Sequence, residues 1–119
     1  MTQISVTTIR PAVQAPAVIY IPEIHIPRIG TYFPELSGTA TTKATVVADI
    51  AKAQHEDVSR VIAIDIAAGT SWDASKEIAG LVLDVVLSEH DGRVPAWCVD
   101  FLEEHLGVGY VRQCEQEAA

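Results

Sequence analysis

Residues 71–92, SWDASKEIAGLVLDVVLSEHDG, limit most sharply what this chain can fold into, because they read as one helix that is apolar around most of its circumference. At about 100° per residue, Ile78, Leu81, Val82 and Val85 share one side, and Ala79, Leu83, Val86 and Leu87 continue round the next. Only Lys76, Glu77, Gly80, Asp84 and Ser88 form a narrow polar stripe. A small domain covers that much of one helix by wrapping a sheet and further helices around it, so the segment is expected to be the spine of a single core.

The rest of the chain is consistent with one core. With 119 residues, 49% of them apolar and 20% charged, it is expected to be a single domain. Pro22, Pro27, Asp49, Asp65 and Asp84 break every apolar run before it reaches the roughly 20 residues that span a bilayer. The opening MTQISVTTIR lacks the basic start and apolar block of a secretory signal, so a cytoplasmic protein is expected. Cys98 and Cys114 are too few for a disulfide scaffold and fit that compartment as small buried side chains.

The net charge of −8 is unevenly placed. Residues 1–60 balance five acids against five bases, whereas residues 61–119 hold eleven acids against Lys76, Arg93 and Arg112. An acidic half of this kind argues against nucleic acid or an anionic membrane as the direct partner, since both are bound through basic surfaces. It suits a protein partner with a basic surface, or a surface that imitates nucleic acid.

Residues 1–38 differ in composition from residues 39–119. They hold five of the six prolines and are rich in β-branched residues, in ISVTTI and AVIYIPEIHIPRI. Strands are expected at residues 4–9 and 17–21. Beyond Ile21, Pro22 and Pro27 remove backbone donors, so an edge strand or an extended arm is expected there, not a central strand. The apolar phase shifts from Ile19 and Ile21 to Ile24 and Ile26, which implies a bulge or twist near Glu23. An arm carrying Ile19, Ile21, Ile24, Ile26 and Ile29 either packs on its own domain or straps a second subunit into a homodimer.

After a loop, threonines offer N-caps for a helix over residues 42–54 with Val46, Val47, Ile50 and Ala51 on its apolar face. Residues 58–67 alternate Ile62, Ile64 and Ile66 with Val61, Ala63 and Asp65, the pattern of a buried central strand. Gly69, Thr70 and Ser71 are expected to turn the chain into the long helix, with Ser71 or Asp73 as its N-cap and Gly92 at its end. A last helix, PAWCVDFLEEHL, presents Trp97, Cys98, Phe101, Leu102 and Leu106 on one face and is closed by Gly107. The tail is expected to add a short strand over residues 108–112. The fold class is thus α+β: a small sheet with a Pro-rich N-terminal arm and three helices, in the order β-β/arm-α-β-α-α. A mainly helical bundle is the alternative.

Three constellations bear on chemistry. Asp65-Ile-Ala-Ala-Gly-Thr-Ser resembles the phosphate loops of sugar kinases, but alanines stand where such loops need glycine, so a small-ligand or nucleotide site is the weakest function class. His90, Cys98, His105 and Cys114 are metal-ligating residue types. Cys98 and His105 nevertheless lie seven apart on one helix, roughly 10 Å along its axis, which is too far for one tetrahedral zinc. No metal or cofactor is therefore expected. No serine or cysteine sits in a nucleophile motif, and a non-enzymatic protein is expected. Finally, His-acid clusters at residues 55–57, 89–91 and 103–105 fall near helix C-termini, where carboxylates are weakly disfavoured by the helix dipole. Glu89, Asp91, Glu103 and Glu104 are therefore the candidate partner-binding residues.

The segments YIPEIHIPRIGTYFPEL, AAGTSWDASKEIA and VPAWCVDFLEEHLG look like parts of small accessory proteins encoded by temperate bacteriophages of proteobacteria. The resemblance implies a class of small, acidic, cofactorless proteins. Such proteins bind and block a host protein, as anti-CRISPR proteins do, or contribute to the particle. Two functions are expected on this basis. The first is a protein-binding inhibitor of a host nucleic-acid-binding protein, acting through the acidic half. The second is an assembly protein that oligomerises through the Ile-Pro arm.

Overall fold

β-Branched residues on both sides of Pro22 keep Val18–Ile26 extended, and this strand, β1, is the longest in the sheet. The computed structural model describes residues 17–34 and 38–118. After β1 come β2 (Gly30–Tyr32), a 3₁₀ turn (Gly38–Thr41), α1 (Lys43–Ala51), β3 (Val58–Asp65), β4 (Thr70–Asp73), α2 (Ser75–Glu89), α3 (Ala96–Leu106) and α4 (Val108–Ala118). The strands form one antiparallel sheet in the order β2-β1-β3-β4. The fold is α+β, as expected, and the helical-bundle alternative is set aside. The strand expected at residues 4–9 lies outside the described residues.

The stretch expected as an arm is, over residues 18–32, a β-hairpin built into the sheet. β1 pairs with β3 from Val18 opposite Asp65 to Ile24 opposite Val58. It has strands on both sides only at Ile24: β2 adds Tyr32, Thr31 and Gly30 opposite Ile24–Ile26, and the pairing with β3 stops at Val58. Pro22 is tolerated because it faces Val61, whose N–H and carbonyl both point away from β1, toward Ser75 and Ala74. The missing Pro22 donor therefore lies on the side that β2 does not reach. The expected irregularity is present between Glu23 and Ile24, but the extra residue is Ser59, in β3. β1 itself alternates without interruption, so the shift in its apolar phase has another origin: Ile19 and Ile21 point to one face, Ile24 and Ile26 to the other.

The core lies between one sheet face and the helices. Tyr20, Ile24, Val58, Val61 and Ala63 pack against Val46, Val47 and Ile50 of α1, Ile78, Val82 and Val86 of α2, Cys98, Phe101 and Leu102 of α3, and Val111 of α4. α1 starts where the threonines place it, with the Thr42 hydroxyl accepting from the Thr45 N–H at 3.2 Å. β3 is central, as expected, but the expectation that both its faces are covered needs correction. Val61 and Ala63 are fully buried, whereas Ile62 and Ile64 lie on the face without helices, opposite Ile21 and Ile19, and Ile66 is exposed.

Two other expectations change. Gly69, Thr70 and Ser71 do not lead into the long helix. They close a β3–β4 hairpin, with the Gly69 N–H donating to the Asp65 carbonyl at 2.9 Å, and α2 starts later, at Ser75. Ser71 is a strand residue, while the Asp73 carboxylate accepts the Ser75 N–H at 2.9 Å and so does part of the capping. The tail is also not a strand: residues 108–118 form α4, a fourth helix, because Val111 is fully buried and Cys114 packs beside it one turn on. Gly107, at φ 94, makes the break between α3 and α4.

The ends of the helices are tied to the sheet and to each other. The Ser59 carbonyl, which the bulge leaves out of the ladder, accepts a hydrogen bond from His105 Nε2 of α3 at 2.7 Å. Trp97 Nε1 donates to the Ala51 carbonyl at the end of α1, at 3.0 Å. Gly92, at φ 80, lies against the Ala118 backbone at the end of α4.

Candidate functional site

α1 and α2 pack on the sheet side by side and run parallel. At their N-terminal ends Lys43 Nζ meets Glu77 Oε2 at 2.7 Å, and at their C-terminal ends Trp97 joins the Ala51 carbonyl to the His90 ring, 5.7 Å from its own. Between them runs an open groove of about 650 Å³. Its floor is Ala44, Val47 and Ala48 from α1 and Leu81 and Val85 from α2; Lys43 and Lys52 rim the α1 side, Asp84 and Glu89 the α2 side.

The groove follows from the composition of α2. The helix is apolar over more of its surface than the domain covers: Ile78, Ala79, Val82, Leu83 and Val86 are buried, while Leu81 remains 38% exposed and Val85 half-buried. The small residues Ala44 and Ala48, one turn apart on α1, leave the space above them open. The sequence signal for this site was the excess of apolar circumference in residues 71–92. What it lacked was the identity of the uncovered part.

The four acids singled out from the sequence do not form one surface. Glu89 is on the groove rim, and Asp91, exposed and left-handed at φ 55, is two residues on, beside it. Glu103 and Glu104 belong to the far end of α3, roughly 12 Å along its axis from Ala96. There α3 docks on the β3 bulge through His105. The structure thus keeps Glu89 near the groove, together with Asp84, which belongs to the narrow polar stripe of residues 71–92.

The proposed arm residues are also split. Ile24 is buried and Ile26 packs against the core. Ile29 is 77% exposed in the β1–β2 turn. Ile19 and Ile21 stand on the helix-free sheet face, where Ile19 faces Ile64 and Ile21 faces Ile62 across the strands. These four half-buried isoleucines form a second apolar surface, outside the packed core.

The side chains considered for chemistry are engaged locally. In the β3–β4 turn the Asp65 carboxylate accepts the Ala68 N–H at 3.0 Å, so the turn is organised around its own acid and opens into a strand. That removes the strand-to-helix geometry on which a phosphate site there depends. Cys98 is buried, its thiol donating to the Pro95 carbonyl at 3.6 Å, and burial pushes its pKa up to about 11. The His90 ring stacks edge-on against Trp97, and His105 holds the bulge. Among the described residues, no three His, Cys, Asp or Glu side chains gather as a metal site requires. Two carboxylates are held below their ordinary pKa: Glu23 by its hydrogen bond from Arg60, at 2.9 Å, and Asp73 by its hydrogen bonds from Ser75. Both lie along the sheet and serve its architecture. No helix among the described residues is long and apolar enough to cross a membrane.

No protein-family model matches the chain, and neither a curated protein nor a solved structure matches it.

Proposed function

We propose that this chain is a non-enzymatic protein-binding module and that its partner, which carries a basic surface, engages the α1–α2 groove. The observation that supports this is the groove itself: an apolar floor on two rigid, core-anchored helices, edged by Asp84 and Glu89 on one side. Apolar strips with charged rims of this kind are characteristic of protein contact surfaces. The eleven acids of residues 61–119 favour a basic partner. In its most specific form, the proposal makes the chain a phage-encoded inhibitor that occupies the basic face of a host nucleic-acid-binding protein.

The test is capture from a bacterial lysate on immobilised wild-type chain and on the double variant Asp84→Lys/Glu89→Lys. A protein retained by the wild type and lost by the variant supports the proposal. Identical capture by the two, or none by either, contradicts it.

A second reading rests on a separate observation, the block of Ile19, Ile21, Ile62 and Ile64 on the helix-free sheet face. In that reading the chain is an assembly protein, and two copies pack these faces together. It predicts a dimer in light scattering that Ile62→Lys/Ile64→Lys dissociates; a wild-type monomer removes it.

A further inference from the structure

We infer that the occupant of the α1–α2 groove is an amphipathic α-helix of the partner protein, basic along the flank that lies over α2 and acidic where it passes Lys52. The inference rests on the protein-binding reading above and deepens it.

Backbone chemistry selects a helix over an extended peptide. Peptides bound as strands take their affinity from hydrogen bonds to a free sheet edge. The groove walls are two α-helices whose backbone groups are satisfied within themselves, so they offer an extended chain no partner for its own N–H and carbonyl groups. A helix brings those bonds with it and presents only side chains.

The dimensions and side-chain spacing fit a helix as well. From Lys43 to Lys52 the groove is roughly 13 Å long, which is about two and a half helical turns. On the floor, Ala44, Val47 and Ala48 repeat at i, i+3 and i+4, and Leu81 and Val85 at i, i+4. Ridges at this spacing receive apolar side chains repeating at i, i+4 and i+7 on a third helix lying between them.

Charge then fixes which way the incoming helix is rolled. Lys43 is already paired with Glu77 at 2.7 Å. Of the remaining rim charges, Lys52 stands on the α1 side and Asp84 and Glu89 stand on the α2 side. A helix with Lys or Arg over Asp84 and Glu89 and an acid over Lys52 is matched on both flanks, whereas a helix acidic on both flanks is opposed over α2 whichever way it runs.

A second copy of this chain is a poorer fit. On α4 the exposed apolar side chains are Val108 and Tyr110, and on α3 the exposed large one is Trp97. None of these continues over three turns at i, i+4 and i+7, the stripe the groove receives.

The test uses a fluorescent peptide of about 15 residues, long enough to be helix-competent, with Leu at i, i+4 and i+7, Lys on one flank and Glu on the other. A second peptide carries Glu on both flanks, so that neither direction of binding places a base over Asp84 and Glu89. Anisotropy titrations with the full chain at low salt are expected to give a micromolar dissociation constant for the first peptide and a roughly tenfold weaker one for the second. Leu81→Glu, which changes an already exposed side chain, is expected to abolish binding while leaving the melting temperature near that of the wild type. Equal binding of the two peptides, binding indifferent to Leu81→Glu, or no binding by either overturns the helix as occupant. If a lysate protein is still lost with Asp84→Lys/Glu89→Lys while neither peptide binds, the protein-binding reading stands and the helix falls. A dimer that Leu81→Glu dissociates, with no peptide binding, puts a second copy in the groove and likewise overturns the inference.

Discussion

Ser75→Ala is the substitution whose effect follows most directly from this structure. β4 ends at Asp73, opposite Ile62, so the next residue of β3, Val61, has no strand partner on that side. The first residues of the α2 region take over. The Ala74 N–H donates to the Val61 carbonyl at 2.8 Å, and the Ser75 hydroxyl accepts the Val61 N–H at 2.8 Å. Val61 is fully buried and Ser75 is 2% exposed, so water does not replace that hydroxyl. Removing it leaves one buried amide unpaired, at a cost of about 1–3 kcal/mol. For a domain of this size about 1 kcal/mol corresponds to roughly 3–5 °C, so the melting temperature is expected to fall by about 3–15 °C. Chemical denaturation followed by circular dichroism gives the free energy, and a scan at the same pH gives the temperature. A change below about 0.5 kcal/mol, typical of a surface substitution, refutes the idea that the α2 N-terminus completes the sheet at Val61.

Three further outcomes are expected. Glu23 and Asp73 have lowered folded-state pKa values, so each adds stability that is present above its unfolded pKa and lost as pH falls through the folded one; unfolding between about pH 5 and 2 should be shallower in Glu23→Gln/Asp73→Asn than in the wild type. In Gly92→Ala a new Cβ meets the Ala118 carbonyl oxygen at 3.0 Å at a φ of 80, so a loss of about 1–2 kcal/mol and faster proteolysis of α4 are expected. At pH 8 a thiol reagent should modify the half-buried Cys114 well before Cys98, whose pKa is raised to about 11; equal rates would show that the α3 core opens readily.

Much of the architecture was legible because local rules and tertiary packing agree there. α1 begins at a threonine and buries Val46, Val47, Ile50 and Ala51, and α3 ends at Gly107, as sequence spacing indicates. The irregularity at Glu23 falls where the apolar phase shifts, but that shift marks a change of apolar face along β1; the extra residue, Ser59, sits in the partner strand, on which the sequence of β1 does not report. The missed elements lacked a strong local signal. β4 is four exposed residues held by pairing with β3, and Val108–Ala118 became a helix through the burial of Val111 and Cys114 on a core assembled by distant segments.

The candidate site was half legible for the same reason. Residues 71–92 have too much apolar surface for a domain this size, yet their periodicity does not say that Leu81 and Val85 stay uncovered. That depends on where α1 lies and on the smallness of Ala44 and Ala48. Choosing acids by proximity to helix ends gathered Glu89 with Glu103 and Glu104, which the fold sets at opposite ends of α3.

The central claim is that the α1–α2 groove is the docking surface of this protein. Amide chemical-shift mapping on the labelled full chain, titrated with the rim-matched peptide, tests it most directly. Shifts confined to residues 43–52 and 81–89 are the predicted result. Shifts centred on Ile19, Ile21, Ile62 and Ile64, or none at saturating peptide, would contradict it.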